Sequence, residues 1–177
     1  MATSMSFTPL DGLPMGTRSG AIDPAVVLYL FSRGMTTDEI SDLLHHQSGL
    51  LGLSGISADM QTLLESQDTK AKEAIDYFCY RISRELGSLA SALGGLDAVV
   101  FTGGIGEHAP GVREKICRES GWLGIELNSE ANQKNDNLVS TRESPVSVWM
   151  IPTDEEQVIA THTKNMVSYH PELTAGC

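Results

Sequence analysis

Apolar residues recur along the chain with the period of an α-helix, most clearly between residues 68 and 93. Positions that step by three or four residues form one continuous face there: Ala71, Ile75, Phe78, Ile82, Leu86, Leu89 and Leu93. Asp68 precedes the segment and Gly94-Gly95 follows it, and these residue types are typical of a helix start and a helix stop. The pattern therefore predicts one long amphipathic helix over 68–93.

Capping signals predict shorter helices on both sides of this long one. Asp23 followed by Pro24 begins a helix that ends at Gly34, and Thr36 with Glu39 forms a capping box for a helix to about His46. The other predicted helices are a short one from Ser57, one over about 110–119, a polar amphipathic segment at 128–137, and a last one, capped by Thr153 and Glu156, to about Met166. The segment 48–55, SGLLGLSG, is predicted to be a glycine-rich loop.

Two short runs rich in β-branched residues alternate with the helices. LDAVVFT at 96–102 and PVSVWMI at 145–151 predict strands buried on both faces. Each run is followed by a turn and then a helix, which indicates an α/β fold with a parallel sheet. Two strands are few for such a sheet, so we expect the sheet in this chain to be incomplete.

Composition narrows the classes of function. The chain has 177 residues and a net charge of −11, which argues against a nucleic-acid partner because phosphate contacts need clustered Lys and Arg. The longest apolar run, Ala25 to Phe31, is far too short to cross a membrane, and no signal peptide is visible. The three cysteines, Cys79, Cys117 and Cys177, have no metal-type spacing, and this odd number fits the reducing cytoplasm.

The loop at 103–111 is the first candidate for chemistry. A strand that runs into glycines and then a helix can present backbone N–H groups to a phosphate or a ribose. Residues 104–109 match the dinucleotide pattern G-x-G-x-x-G/A, for which Glu126 is the one available acidic partner. The loop therefore has two alternative interpretations. It could belong to the dinucleotide-binding domain of a dehydrogenase, or it could be a tight turn that binds no ligand.

Two further segments carry candidate charges. Arg18, between Gly16 and Gly20, can extend into a cleft and neutralise a phosphate or carboxylate, although a solvated surface arginine is the alternative. The acidic TDEE at 153–156 follows a strand, where carboxylates can hold hydrated Mg²⁺. The same acids are also expected in the first turn of a helix.

Taken together, four ordered segments resemble the acetate kinase family: SMSFTPLDGLPMGTRSGAIDP at 4–24, SGLLGLSGIS at 48–57, DAVVFTGGIGEHAPGVRE at 97–114 and IPTDEEQVIA at 151–160. The resemblance runs from about residue 2 to residue 162. It implies a ribonuclease-H-like α/β domain of the acetate and sugar kinase, chaperone and actin superfamily. It also implies reversible, Mg²⁺-dependent (or Mn²⁺-dependent) phosphoryl transfer from ATP to acetate, which gives ADP and acetyl phosphate.

The resemblance also implies roles for particular residues. Arg18 matches the arginine that stabilises the transferring phosphoryl group, and Glu155 matches a glutamate associated with the metal ion. The implied nucleotide contacts are Asp59, Met60 and Gln61 in one stretch, and Gly104, Ile105, Gly106, Glu107 and His108 in another. Gln61 stands where family members often carry Arg, and His108 replaces a common Asn.

The resemblance further implies that this chain corresponds to the C-terminal part of a longer, homodimeric enzyme. We then expect an active-site loop and lead-in at 1–22, a nucleotide-binding domain at 23–166 and a disordered tail at 167–177. Because phosphate-binding segments of the family are missing, we expect the isolated chain to be inactive. Propionate kinase is an alternative within the family, and a non-enzymatic oligomerisation module is an alternative outside it.

Overall fold

The structure is a computed structural model that describes residues 2–169, apart from the side chains at positions 155, 168 and 169. Within this part of the chain, helices alternate with two short strands. The helices are α1 (Pro24–Ser32), α2 (Thr37–His46), α3 (Gly49–Ser54), α4 (Met60–Glu65), α5 (Thr69–Leu93), α6 (Gly103–His108), α7 (Pro110–Glu119), α8 (Ser129–Gln133) and α9 (Glu155–Tyr169), with a 3-10 turn at Gly121–Leu123. The strands are β1 (Ala98–Phe101) and β2 (Ser147–Met150).

The helix starts follow the predicted capping residues. The Asp23 carboxylate accepts the Ala25 N–H at 2.8 Å, and Thr36 with Glu39 forms the predicted capping box. The long helix α5 has the predicted limits, and Gly94 ends it in the left-handed conformation at φ 77°. The predicted apolar face of α5 is buried only in part, because Leu93 in its last turn is 68% exposed.

Four local predictions are wrong. The segment predicted as the loop 48–55 contains helix α3, and the loop predicted at 103–111 contains the short helix α6. Asp154, rather than Thr153, caps α9, since its carboxylate accepts the Gln157 N–H at 2.8 Å. Helix α9 also continues past the predicted end to Tyr169, while residues 170–177 of the predicted disordered tail lie outside the described residues.

The two strands pair in parallel with Phe101 opposite Met150, as the α/β prediction requires. The expectation that both faces are buried is wrong. Val148 and Met150 face a buried cluster, whereas the other face carries Val100, 51% exposed, and Trp149, 37% exposed. In the described part of the chain the sheet has only these two strands, extended by isolated bridges such as Leu138 with Trp149.

Two buried clusters meet at the end of β1. The first joins α3, α4, α5 and α7 through residues such as Leu50, Leu63 and Phe78, and the second lies around β2. Phe101 packs against both clusters, so the end of β1 is fixed from two sides. None of the described helices combines the length and the apolarity needed to cross a bilayer.

Candidate active site

The segments that follow the two strands meet at one edge of the sheet. Because β1 and β2 are parallel, their carboxyl ends lie side by side, and the Ile151 N–H donates to the Phe101 carbonyl at 2.9 Å. Beyond that bond, the hydroxyl groups of Thr102 and Thr153 hydrogen-bond to each other. The start of α6 is thereby placed next to the acidic segment 153–156.

The Glu107 carboxylate ties these two segments together. Its Oε1 accepts the N–H of Gly103 at 2.8 Å and the N–H of Thr153 at 2.9 Å. These bonds, with the Thr153 N–H contributing most, hold the pKa of Glu107 below its ordinary value although partial desolvation opposes the shift. Gly103 has φ 73°, a left-handed conformation that glycine adopts without strain, so the strand can turn directly into α6.

A cleft of about 410 Å³ opens between α6 and the segment after β2. It is lined by Gly103, Gly104, Glu107, His108, Thr153, Asp154 and Glu156. The carboxylates of Asp154 and Glu156 supply the hard oxygen ligands that Mg²⁺ prefers. Among the residues whose side chains the structure describes, no group of three potential metal ligands is found.

The predicted metal residue, Glu155, begins α9 beside this cleft, but its side chain lies outside the described part of the structure. Its backbone lies two residues after Thr153, whose N–H donates to the Glu107 carboxylate. The assignment of a metal ion to Glu155 stays a prediction.

A second pocket of about 310 Å³ lies against α6 and shares Gly104 and His108 with the cleft. Its lining is Asp59, Met60, Gln61, Gly104, Ile105, His108 and Ala109. The two stretches predicted to contact nucleotide, separated by more than 40 positions in the sequence, thus form one pocket. Gly106, also predicted, packs against Phe101 beneath α6.

Asp59 and Gln61 also have partners within the chain. The Asp59 carboxylate caps α4 by accepting the Thr62 N–H at 2.8 Å, and this bond is the main reason that the Asp59 pKa lies below its ordinary value. The exposed Gln61 amide donates to Glu65 at 2.6 Å, whereas Met60 is buried. Gln61 is therefore the side chain of this stretch with the most freedom to turn toward a ligand.

Arg18 lies on a separate turn, outside the linings of both pockets. The Met15 N–H donates to the Arg18 carbonyl at 3.1 Å, and the first N–H groups of α3 donate back to the turn: Leu50 to Met15 at 2.9 Å and Leu51 to Gly16 at 2.9 Å. At Gly49, with φ 60°, a Cβ atom would lie 2.1 Å from the Met15 carbonyl oxygen, so only glycine allows this close approach.

The turn that carries Arg18 nevertheless abuts the second pocket. A Cβ atom on Gly16 would lie 2.8 Å from the carbonyl oxygen of Ala58, the residue before Asp59. Arg18 is half-buried as a residue, and its Nη1 contacts the Met15 sulfur at 3.8 Å. Among the described residues no carboxylate forms an ion pair with it.

Sequence reasoning missed Arg113, which is fully buried and contacts the end of α6. The signal for it was present, because Arg113 stands among Val112, Ile116 and Cys117 on the buried side of α7. An arginine within an apolar stripe needs internal acceptors. Thr102 and Thr153 were missed as well, and only the pairing of the two strands places them together.

The position of Glu126 disfavours the dinucleotide alternative. Residue 125 bridges to Val146, at the amino end of β2, whereas α6 follows the carboxyl end of β1. In a parallel sheet these are opposite edges, so the Glu126 carboxylate lies at the wrong end for a ribose bound at α6.

The end of the sheet thus carries two adjoining pockets around the glycine-rich helix α6, an arrangement typical of small-molecule sites in α/β proteins. Comparison with known proteins gives the family: the chain matches the Acetokinase family over residues 1–161 and belongs to it. It is 58% identical over 165 residues to the acetate kinase of Rhodopseudomonas palustris strain TIE-1, covering 92% of this chain and 42% of that protein.

Solved structures agree with this assignment. The acetate kinase of Porphyromonas gingivalis matches with a TM-score of 0.85 and 38% identity, covering 93% of this chain and 43% of that one. A propionate kinase from Francisella tularensis matches with a TM-score of 0.84 and 39% identity, covering 89% and 41% of the two chains. The predicted α/β class and the family are thereby confirmed, while the ribonuclease-H-like superfamily stays a prediction.

The chain spans about two fifths of the length of the curated relatives it matches. The predicted assignment to the C-terminal part of those longer chains is not confirmed. The predicted domain limits stay predictions.

Proposed function

We propose that this chain supplies the nucleotide-binding wall and a phosphoryl-stabilising arginine to an acetate kinase that transfers a phosphoryl group between ATP and a short carboxylate. One observation carries the proposal beyond family membership. Residues 59–61 and 104–108, both expected to contact nucleotide, line one pocket, and that pocket adjoins a cleft with carboxylates suited to a metal ion.

In this proposal the pocket beside α4 holds the adenosine and the cleft beside α9 holds the phosphates. Glu107 keeps α6 and Thr153 in register by accepting the N–H groups of Gly103 and Thr153. A bound Mg²⁺ would neutralise phosphate charge, and Asp154, Glu156 and the predicted Glu155 are the residues placed to hold it.

Arg18 is proposed to stabilise the transferring phosphoryl group. Phosphoryl transfer passes through a loose transition state whose charge lies on the oxygens of the transferred group, and positioned cations stabilise it. This role is supported by the absence of an ion-pair partner for Arg18 among the described residues, since its only polar side-chain contact there is with the Met15 sulfur. The backbone bonds between its turn and α3 would fix where it can reach.

Acetate and propionate both remain candidates for the acceptor. The solved relatives include both an acetate kinase and a propionate kinase at nearly equal identity. One methylene changes discrimination in an apolar pocket by only about 1–3 kcal/mol, so a few side chains decide between the two acids. A homodimer in the complete enzyme is part of the proposal, as is a reducing cytoplasm, which the buried free thiols of Cys79 and Cys117 suit.

Calorimetric titration of the chain with Mg·ADP, and separately with NAD, tests the nucleotide site. The proposal expects saturable binding of one Mg·ADP per chain and no binding of NAD at the same concentrations. Equal binding of NAD would favour the dinucleotide alternative, and failure of Mg·ADP to bind would contradict the proposed nucleotide wall.

A further inference from the structure

Arg113 is a buried cation whose hydrogen-bond donors are all satisfied by neutral groups. Its residue surface is 0% exposed, and in the described part of the chain no carboxylate forms an ion pair with it. Burying a guanidinium costs several kcal/mol unless its N–H groups are bonded. We therefore ask which parts of the fold the hydrogen bonds of this buried guanidinium hold in place.

The acceptors of Arg113 lie on α6, on α8 and in the turn that follows α8. Nη1 donates to the carbonyls of Gly106 at 2.8 Å and Glu107 at 2.9 Å, at the end of α6. Nε donates to Asn132 Oδ1 at 2.7 Å, while Nη2 donates to the Asn132 carbonyl at 2.8 Å and to Asn135 Oδ1 at 2.6 Å. All five N–H groups are used, so the planar fork locks α6 to α8 from its position on α7.

The need for Arg113 follows from Pro110. The last carbonyls of a helix have no partner within it, and a helix that continued past residue 109 would bond the Gly106 carbonyl to the N–H of residue 110. Proline has no N–H, and it begins α7 directly after the shared boundary at Ala109. The Arg113 side chain supplies the donor that Pro110 lacks.

The network is itself held rigid on the far side. The Asn132 amide donates back to the Pro110 carbonyl at 2.9 Å, and Asn132 is 0% exposed. Asn135 has φ 56°, a left-handed conformation that asparagine tolerates better than most residues, and this conformation accompanies the contact of its Oδ1 with Nη2.

We propose that Arg113 is a positioning residue for the nucleotide pocket: it fixes the end of α6 so that Gly104, Ile105 and His108 present a preformed wall to the ligand. The effect on ligand binding rests on the proposed function, since it takes the ligand of that wall to be a nucleotide. Its structural part, the immobilisation of 103–109 by the Arg113 side chain, stands on the hydrogen bonds alone.

The test uses amide hydrogen exchange and Mg·ADP titration on the full chain with four variants. Arg113→Met removes the fork, Arg113→Lys keeps the charge with fewer donors, and Asn135→Gly removes one acceptor while suiting the left-handed backbone. Arg118→Met is the matched control, because Arg118 is an exposed arginine on the same helix.

Hydrogen bonds to a charged group are among the strongest in proteins, so Arg113→Met is expected to raise exchange in 103–109 by about tenfold or more and weaken Mg·ADP binding about tenfold. Exchange in α5 should change far less. Arg113→Lys should fall between the unmodified chain and Arg113→Met, and Asn135→Gly should raise exchange in 103–109 severalfold. Arg118→Met should match the unmodified chain in both measurements.

Two results would overturn the proposal. If exchange in 103–109 rises no more than exchange in α5, Arg113 supports overall stability without positioning α6. If exchange in 103–109 is unchanged in both Arg113→Lys and Asn135→Gly, the fork does not hold the wall; this comparison remains decisive if Arg113→Met fails to fold. Should the unmodified chain fail to bind Mg·ADP, the proposed nucleotide site fails, while the exchange data still judge the role of Arg113.

Discussion

Arg113 and Arg18 show two different uses of the same side chain. Arg113 is fully buried, and its five N–H groups are bonded to backbone and amide oxygens at 2.6–2.9 Å. Arg18 is half-buried on a turn held by backbone hydrogen bonds, and its guanidinium contacts the Met15 sulfur at 3.8 Å. A saturated guanidinium holds a structure together, whereas a guanidinium with spare donors on a rigid turn is available to a ligand.

The largest difference between the two arginines is expected in catalysis, where replacing Arg18 should slow phosphoryl transfer. A chimera in which this chain replaces the matching stretch of the Rhodopseudomonas palustris acetate kinase, to which it is 58% identical, provides a complete enzyme for the assay. Arg18→Ala in that chimera should lower kcat by about 10²–10³-fold, the usual loss when a transition-state donor is removed. Acetyl phosphate formation, measured against the unmodified chimera, checks this. A kcat within about threefold of that reference would show that Arg18 does not meet the transition state.

The second effect concerns stability: replacing Arg113 should destabilise the fold more than replacing Arg18. Arg113→Met leaves buried carbonyl and amide oxygens without donors, so we expect it to lower the free energy of unfolding by about 3 kcal/mol. Arg18→Met should change it by less than about 0.5 kcal/mol, because the Arg18 side chain makes one long polar contact, with the Met15 sulfur at 3.8 Å, and no ion pair among the described residues. Urea unfolding followed by circular dichroism measures both. Equal losses for the two variants would remove the distinction between a structural and an available arginine.

The smallest effect concerns acid stability through Glu107. Backbone hydrogen bonds keep the folded-state pKa of Glu107 below 4.5, so as the pH falls the unfolded chain takes up this proton before the folded chain does. The stability from this carboxylate is therefore present above about pH 4.5 and is lost as the pH falls through the folded-state pKa. Glu107→Gln should unfold with a shallower dependence on pH below 4.5 than the unmodified chain. Parallel pH profiles for the two proteins would show that Glu107 does not clamp α6 to Thr153.

The elements predicted correctly are those whose signals are local. Helix α5 has a periodic apolar face and caps at both ends, and the capping box of α2 lies within four residues. The elements missed depend on distant partners. The sequence of α3 is typical of a glycine-rich loop, but the carbonyls of Met15 and Gly16 accept the first N–H groups of this helix. Helix α6 has three glycines among six residues and is held by Glu107 and Arg113.

The candidate site divides in the same way. Family resemblance marked Arg18, 59–61, 104–108 and Glu155 one by one, but no local pattern says that 59–61 and 104–108 face each other. Their meeting depends on α4 and α7 packing against α5, which brings Met60 and Ala109 into one buried cluster. Arg113 could have been suspected as a charge within an apolar stripe, although its acceptors on α6 and α8 are visible only in three dimensions.

Mg·ADP affinity of the matched pair Gly104→Val and Gly111→Val tests the central claim most directly. A Cβ atom at either glycine would meet nothing within 4 Å, so both positions have room for the start of a side chain, but only Gly104 lines the two pockets. The account predicts that Gly104→Val weakens calorimetric binding of Mg·ADP about tenfold or more, equivalent to about 1.4 kcal/mol, while Gly111→Val leaves it unchanged. Equal affinity of the two variants would contradict the claim that nucleotide binds at the wall formed by α6.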